Sequence, residues 1–311
     1  MEKRKKIVVL AGGYSDERDV SKVSSLEISK SLKESGFNVE VLDPADFGSF
    51  CELVKKIKIM NPYIVFLGLH GAAGEDGRIQ SLLSLENIPF TGSEFRASAI
   101  AIDKYISATL VSAQKIKIPQ TLFYKKHEKI EKNEIIKEIG FPLVVKPNDS
   151  GSSVGISIVI KKEDLSAAID YAYQFGDSII VQKYIEGREL TVTVLGNKAL
   201  PVVEIKPKNG WYDYRNKYTK GNTIYEVPAA LSKNHSNIVK KYAETIYRLF
   251  GCKAYARIDF RFDGNDFYFL EVNTLPGMTP LSLTPMAAKE AGIDFSELLL
   301  KIIDYSLKNS N

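Results

Sequence analysis

Cysteine is nearly missing from this chain. Cys51 and Cys252 are the only two in 311 residues, with neither a CxxC partner nor a nearby set of histidines. They leave no basis for a disulfide framework or a cysteine-bound metal, and both read as buried, reduced thiols. An excess of one charge is missing too: 42 basic residues stand against 38 acidic ones, a net of +4. So mild a balance does not describe a nucleic-acid binder, although it accommodates a small anionic substrate. No apolar run is long enough to cross a bilayer. The start, MEKRKK and then IVVLAGG, has the basic opening of a secretory signal, but an apolar stretch of about five residues is too short for a signal core. The expectation is a cytoplasmic protein with no membrane or nucleic-acid partner. Two phosphate-binding fingerprints are also absent. GxxxxGK[ST] does not occur, which excludes a P-loop NTPase, and no GxGxxG follows the first strand.

What is present is an ordinary globular composition, 44% hydrophobic and 26% charged, long enough for two or three domains. The first ~100 residues alternate strand and helix: KIVVLAG at 6–12, helical spacing over 20–35 ended by Gly36, the strand NVEVLD, the helix FCELVKKIKIM and the apolar strand YIVFLGL at 63–69. Such a series predicts a parallel sheet covered by helices, with ligands at the carboxyl ends of its strands, where 12–21 and 70–77 lie. One helix is expected over 97–114. A second unit, about 115–185, holds PLVVKP, a Gly/Ser loop, GISIVIK, a helix and SIIVQKYI. A third, about 186–311, holds two strands, the polar aromatic loop KNGWYDYRNKYTKGN, a long helix, two more strands and a terminal helix.

Those last two strands, AYARIDFRFD and NDFYFLEVN, carry the sharpest signal. By alternation Ile258, Phe260 and Phe262 share one face, and Arg257, Asp259 and Arg261 the other. The second strand places Phe267, Phe269, Glu271 and Asn273 together. Asp263-Gly264 marks a tight hairpin. A two-residue loop would pair Asp259 with Leu270 and separate the carboxylates. A three-residue loop, 264–266, would pair Asp259 with Glu271 and Arg257 with Asn273. We expect the second register, because it gathers three hard oxygen ligands suited to one or two Mg²⁺ shared with phosphates.

The loop KPNDSGSSVGISIVI (146–160) contains GSSVG, which matches a hydrolase nucleophile pattern. That pattern needs a helix after the loop, whereas GISIVI is β-rich, so the nucleophile reading is rejected. Exposed backbone N–H groups, two hydroxyls and the point charge of Lys146 suit phosphates instead. Glu17 stands at a helix start, where simple capping is the alternative to function. His70 directly follows an apolar strand, and His127 and His235 lie in polar, surface-like stretches.

GGYSDERDVS, LHGAAGEDG, KPNDSGSSVG, YDYRNKY, ARIDF and LEVNTLPGMT, in this order and spacing, resemble the signatures of the D-alanine–D-alanine ligases along the whole chain. The resemblance implies an α/β amino-terminal parallel-sheet domain (1–103) followed by a two-domain, α+β ATP-grasp fold (104–185 and 186–311). It implies an ATP-dependent ligase that joins two D-alanines for peptidoglycan synthesis, using ATP and two Mg²⁺ or Mn²⁺ ions, in a homodimer by family analogy. Asp259, Glu271 and Asn273 match the metal ligands. Lys104, Lys146, Ser152, Ser153, Gln182, Lys183, Ile185, Glu189 and Trp211 match the nucleotide site. Glu17 matches the acid that holds the first D-alanine's ammonium, with His70 near its carboxylate. Arg257 and the Gly277 backbone match the oxyanion site, and Ser282 and Leu283 the grip on the second D-alanine. Lys217 and Tyr218 belong to a closing loop linked to Glu17 and Ser152. Gln182 departs from the Glu of many members, which leaves base selectivity open. Tyr218, where D-alanyl-D-lactate ligases typically carry Phe, favours an amine as the second nucleophile. The alternative is another ATP-grasp ligase, such as one making D-alanyl-D-lactate.

Overall fold

The computed structural model describes residues 5–15, 17–151, 154–208, 210, 221–279 and 282–308. Its amino-terminal sheet is parallel, with β1 (Lys6–Leu10) between β2 (Asn38–Leu42) and β3 (Ile64–Leu67). Ile7, Val8, Val9 and Leu10 are completely buried, which is why the central strand reads as a continuous apolar run rather than an alternating one. The helices Arg18–Glu34 and Phe50–Met60 provide the crossovers. Ser49 caps the second by accepting from the Glu52 N–H at 3.3 Å, and left-handed Asn61 ends it.

The helix expected over 97–114 is two helices, Phe95–Ile102 and Lys104–Ser112. Asp103 breaks them. Its backbone is extended and its carboxylate accepts from the Ile106 N–H at 2.9 Å. Periodicity runs through such a break because the apolar stripe barely shifts, whereas the cap starts a new helix. The break sets Lys104 in the first turn of the second helix, with its backbone N–H on the Asn148 carbonyl at 3.0 Å.

The middle sheet is antiparallel: β4 (Thr121–Lys125), β7 (Ser178–Lys183), β5 (Leu143–Pro147) and β6 (Ser157–Val159), in that spatial order. The loop 148–156 joins β5 to β6, so the Gly/Ser segment does connect two strands. The third sheet runs β11 (Thr223–Glu226), β10 (Val203–Pro207), β8 (Arg188–Leu195), β12 (Tyr255–Phe262), β13 (Phe267–Asn273), with β9 (Lys198–Ala199) beside β8. The helix Lys233–Phe250 covers its apolar face, burying Val239, Ala243, Ile246 and Phe250 with Val192, Ile258, Phe260 and Phe269. The terminal helix Phe295–Lys308 packs into the amino-terminal core, and the Ser31 and Ser296 hydroxyls meet at 2.9 Å.

The hairpin of β12 and β13 pairs Asp259 with Glu271 and Arg257 with Asn273, as expected, but by another route. The turn is tight. Phe262 faces Phe267, and the Asp263 N–H donates to the Asp266 carbonyl at 3.3 Å. A bulge between Asp259 and Phe260 then shifts the register, leaving Leu270 as an extra residue. The bulge also corrects the facing of β13. Phe267 and Phe269 lie with Phe262 and Phe260 in the core, at ring separations of 4.4 and 6.4 Å, while Glu271 and Asn273 turn to the other face. Strict alternation would have put all four together. An extra residue reverses the parity at the boundary between the aromatic and polar parts of the strand.

Two further expectations change. Cys51 is exposed rather than buried. Cys252 is half-buried, and burial pushes its thiol up to about 12 although the Ser93 side chain pulls the other way, so it is an inert thiol. His235 is half-buried, edge-on to Phe262 at 4.9 Å, whereas His127 is exposed. Among the described residues no helix is long and apolar enough to cross a membrane.

Candidate active site

The polar face of the third sheet collects Arg257, Asp259 and Arg261 from β12, Glu189 and Thr191 from β8, and Glu271 and Asn273 from β13. Arg257 holds Asp259 as a fork: Nε donates to Oδ1 and Nη2 to Oδ2, both at 2.9 Å. The Thr191 hydroxyl donates to the same Oδ1 at 2.5 Å. Lys104 reaches Glu271 Oε2 at 3.4 Å and donates to the Ser150 carbonyl at 2.6 Å. It thereby ties the Gly/Ser loop to the carboxylate face. Asn273 Oδ1 accepts from the Leu275 N–H at 3.0 Å, and Lys146 is buried on β5.

Two carboxylates and an amide oxygen on one face make a hard-oxygen donor set that suits a divalent metal. Among the described residues no three His, Cys, Asp or Glu side chains cluster as a metal site. Asn273 and oxygens from a bound phosphate would therefore have to complete the shell. Each carboxylate already faces a cation, Arg257 or Lys104.

Along the neighbouring edge, Arg261 links Glu189 and the segment between β7 and β8. Its Nη1 lies 3.3 Å from Glu189 Oε2, and its Nε donates to the Ile185 carbonyl at 3.1 Å. Gln182 is buried on β7, and its Nε2 donates to the Thr121 hydroxyl oxygen at 2.9 Å. Lys183 Nζ donates to the Phe141 carbonyl at 3.2 Å.

At the carboxyl ends of β1 and β3 a small cleft is lined by Gly12, Gly13, Tyr14, Leu69, His70 and Gly74. Glu17 precedes the first helix but makes no side-chain cap, which removes the simple capping role. Its Oε2 lies 3.0 Å from where a Cβ on Gly71 would stand and 3.1 Å from one on Gly151. Two glycines from different units let this carboxylate sit between their backbones, and Gly71 also needs its positive φ of 69°. His70 is buried, with Nδ1 3.1 Å from the Leu275 carbonyl and 3.6 Å from Glu75 Oε1, and Nε2 3.4 Å from the Ser24 hydroxyl. Burial opposes a charge on the imidazole, but contact with Glu75, the charges of Glu75 and Glu17, and the Leu275 carbonyl outweigh it and raise its pKa. Glu75 is itself pushed up by burial, against the pull of His70 and Arg257.

At the exit of β13, Ser282 precedes the helix Leu283–Glu290. Its hydroxyl accepts from the Thr279 N–H at 3.1 Å, and a Cβ on Gly277 would lie 3.2 Å from it. Leu283 is buried. Ser152, Ser153, Trp211, Lys217 and Tyr218 lie outside the described residues. Sequence reasoning missed Glu75, Thr191, Arg261 and Thr121 as partners of the site. Glu75 lay inside the quoted LHGAAGEDG and Arg261 on the polar face of β12. Thr191 and Thr121 carried no local signal, because only strand pairing brings them to Asp259 and Gln182.

The family model described as D-ala D-ala ligase C-terminus matches residues 110–304, and the one described as D-ala D-ala ligase N-terminus matches 45–93. A D-alanine–D-alanine ligase of Buchnera aphidicola is 40% identical over 306 residues, covering 96% of this chain and 98% of the relative. A crystal structure of D-alanine–D-alanine ligase from Bacillus anthracis superposes with a TM-score of 0.88 at 36% identity, covering 98% of each chain. The form of that enzyme complexed with ATP gives 0.84 at 33% identity, covering 98% of this chain and 97% of that one. The chain belongs to the D-alanine–D-alanine ligase family.

Proposed function

We propose that this chain is an ATP-dependent ligase that joins two D-alanines, releasing ADP and phosphate. The observation that carries the reading is the face where Arg257, Asp259, Glu271 and Asn273 meet Lys104. Family membership and the ATP-complexed relative support it.

A carboxylate is a poor electrophile, so phosphorylation to an acyl phosphate must precede amide formation. Positioning and charge neutralisation drive that step. Lys104 and Lys146 serve the phosphates, Glu189 the ribose, and Gln182, Lys183 and Ile185 the base. Asp259, Glu271 and Asn273 would hold divalent ions, two Mg²⁺ or Mn²⁺ in this reading, which would supply neutralising charge beside the phosphates. Glu17, between Gly71 and Gly151, holds the ammonium of the first D-alanine, and His70 adds positive potential beside its carboxylate. The amine of the second D-alanine attacks the acyl carbon, its carboxylate gripped at Ser282 and Leu283. The tetrahedral oxyanion is met by Arg257 and the Gly277 N–H. Asp259 engages two of the five N–H donors of Arg257, so the residue that meets the oxyanion also orients a metal ligand. Ser152, Ser153, Trp211, Lys217 and Tyr218 are assigned to the loops that close over the site and exclude water from the acyl phosphate. The division at 103/104 and 185/186, a cytoplasmic location and a homodimer complete the proposal.

Phosphate release with D-alanine alone, and then with D-alanine plus D-lactate, tests the reading. We expect turnover with D-alanine alone and D-alanyl-D-alanine as the product. Release that requires D-lactate would overturn it in favour of a depsipeptide ligase.

A further inference from the structure

A glutamine that must accept a hydrogen bond has a weakness that a glutamate lacks, because its amide can turn either end to the ligand. Gln182 is 3% exposed, and its orientation is decided by its neighbours. The Pro119 carbonyl can only accept, and Thr121 Oγ1 lies 2.7 Å from it, so the single hydroxyl proton of Thr121 is committed there. The same Oγ1 lies 2.9 Å from Gln182 Nε2. With its proton used, this oxygen can only accept, and the group facing it has to be the NH₂ end of the amide. The chain of donors therefore runs Gln182 N–H to Thr121 O–H to the Pro119 carbonyl. It turns the Gln182 carbonyl oxygen away from Thr121. Thr121 and Gln182 are paired across β4 and β7, and Val144 pairs with Gln182 while the buried Lys146 pairs with Ile180 on the same sheet. Gln182 thus shares a sheet face with Lys146, one same-face step nearer the end of β7.

We propose that Thr121 is the positioning residue for base selectivity. By fixing the amide of Gln182, it makes the pocket accept a 6-amino purine and reject a 6-oxo purine. This rests on the nucleotide-site reading above. A 6-oxo group would set acceptor against acceptor and leave a buried oxygen unpaired, whereas a 6-amine donates to it.

The test measures binding of ADP and IDP to the full chain by titration calorimetry, alongside phosphate release from ATP and ITP at saturating D-alanine. Thr121→Val is expected to lower the ADP-to-IDP preference about tenfold, and Thr121→Ser, which keeps the hydroxyl, to retain it. The KM for D-alanine should stay within about twofold in both. In a Gln182→Glu background, Thr121→Val should change the preference less than about twofold, because a carboxylate has no donor end to orient. Three results would overturn the proposal: unchanged preference in Thr121→Val, loss of preference in Thr121→Ser, or an equal loss in both backgrounds. Selective ADP binding without D-alanine-dependent phosphate release would sink the ligase reading and leave this one standing. Failure to bind either nucleotide overturns both.

Discussion

The molecule pairs acids with cations in two places, and it does so differently. At the β12–β13 face, Asp259 and Glu271 lie at the border of solvent, each matched to a cation from a rigid element, Arg257 on a strand and Lys104 in a helix's first turn. Both acids lie on the face that an entering ligand would meet. At the end of β3, Glu75 and His70 are enclosed, and their pKa values are both raised. The glycine-rich loop that carries Glu75 is laced down, with its N–H on the Gly71 carbonyl at 2.9 Å and the Gln80 amide on the Gly74 carbonyl at 2.6 Å. Charge at the first place is available to ligands. At the second it also joins the amino-terminal segment to the one leaving β13, because His70 bonds Ser24 on one side and Leu275 on the other.

Glu271→Gln gives the sharpest break in that comparison. It removes one of two carboxylates from the proposed metal face, and kcat/KM should fall by at least about a thousandfold, with thermal stability nearly unchanged. Steady-state phosphate release across a Mg²⁺ series checks it, and unchanged turnover would remove the metal assignment. Arg257→Ala comes next. Loss of an oxyanion donor predicts a fall of about a hundredfold to a thousandfold in kcat. Arg257→Lys should rescue little of it, since a single ammonium cannot reproduce the fork on Asp259.

The effect at the buried pair should fall on stability as well as on turnover. A group whose pKa is raised by folding stabilises the fold below its unfolded value and loses that contribution as pH rises through the folded one. For His70 the loss begins above 6.5; for Glu75 it begins above 4.5. Both slopes have the same sign. Glu75→Gln removes the acid and its hold on His70. At pH 6 the variant should be less stable by about 1–3 kcal/mol, and the gap should narrow toward pH 8. Thermal unfolding at pH 6, 7 and 8 reads it, and a gap that widens with pH would reverse the assignment.

The two places also differed in how far they could be read without a structure. The hairpin's chemistry was legible because Arg257, Asp259, Glu271 and Asn273 sit at strand spacing. The helix Phe50–Met60 was legible to the residue, since an amphipathic stripe there coincides with a serine cap and an asparagine stop. The bulge at Leu270 was not legible, because FYFLEVN is apolar enough to fit either parity. The break at Asp103 was hidden by an apolar stripe that continues across it. The His70–Glu75 pair was hidden for another reason. Its partners Ser24 and Leu275 lie 46 and 205 residues away, and no local pattern encodes such contacts.

Thr191 gives the smallest effect and separates aiming a ligand from supplying one. Its hydroxyl donates to the Asp259 oxygen that also receives Arg257 Nε. Thr191→Val keeps the shape of a completely buried side chain and deletes one of three hydrogen bonds on that carboxylate. Asp259 would still be held by both arms of the Arg257 fork, so it stays on the correct face. The expected loss is about 1 kcal/mol, or roughly fivefold in kcat/KM. It should appear mainly as a higher Mg²⁺ requirement, because a less constrained carboxylate binds its ion less tightly while the phosphoryl-transfer geometry at saturating metal is restored. A Mg²⁺ titration of the variant therefore decides the point. A fivefold rise in the half-saturating concentration at unchanged kcat marks Thr191 as an aiming group. A fall in kcat that saturating metal does not repair would place Thr191 in the reacting site itself.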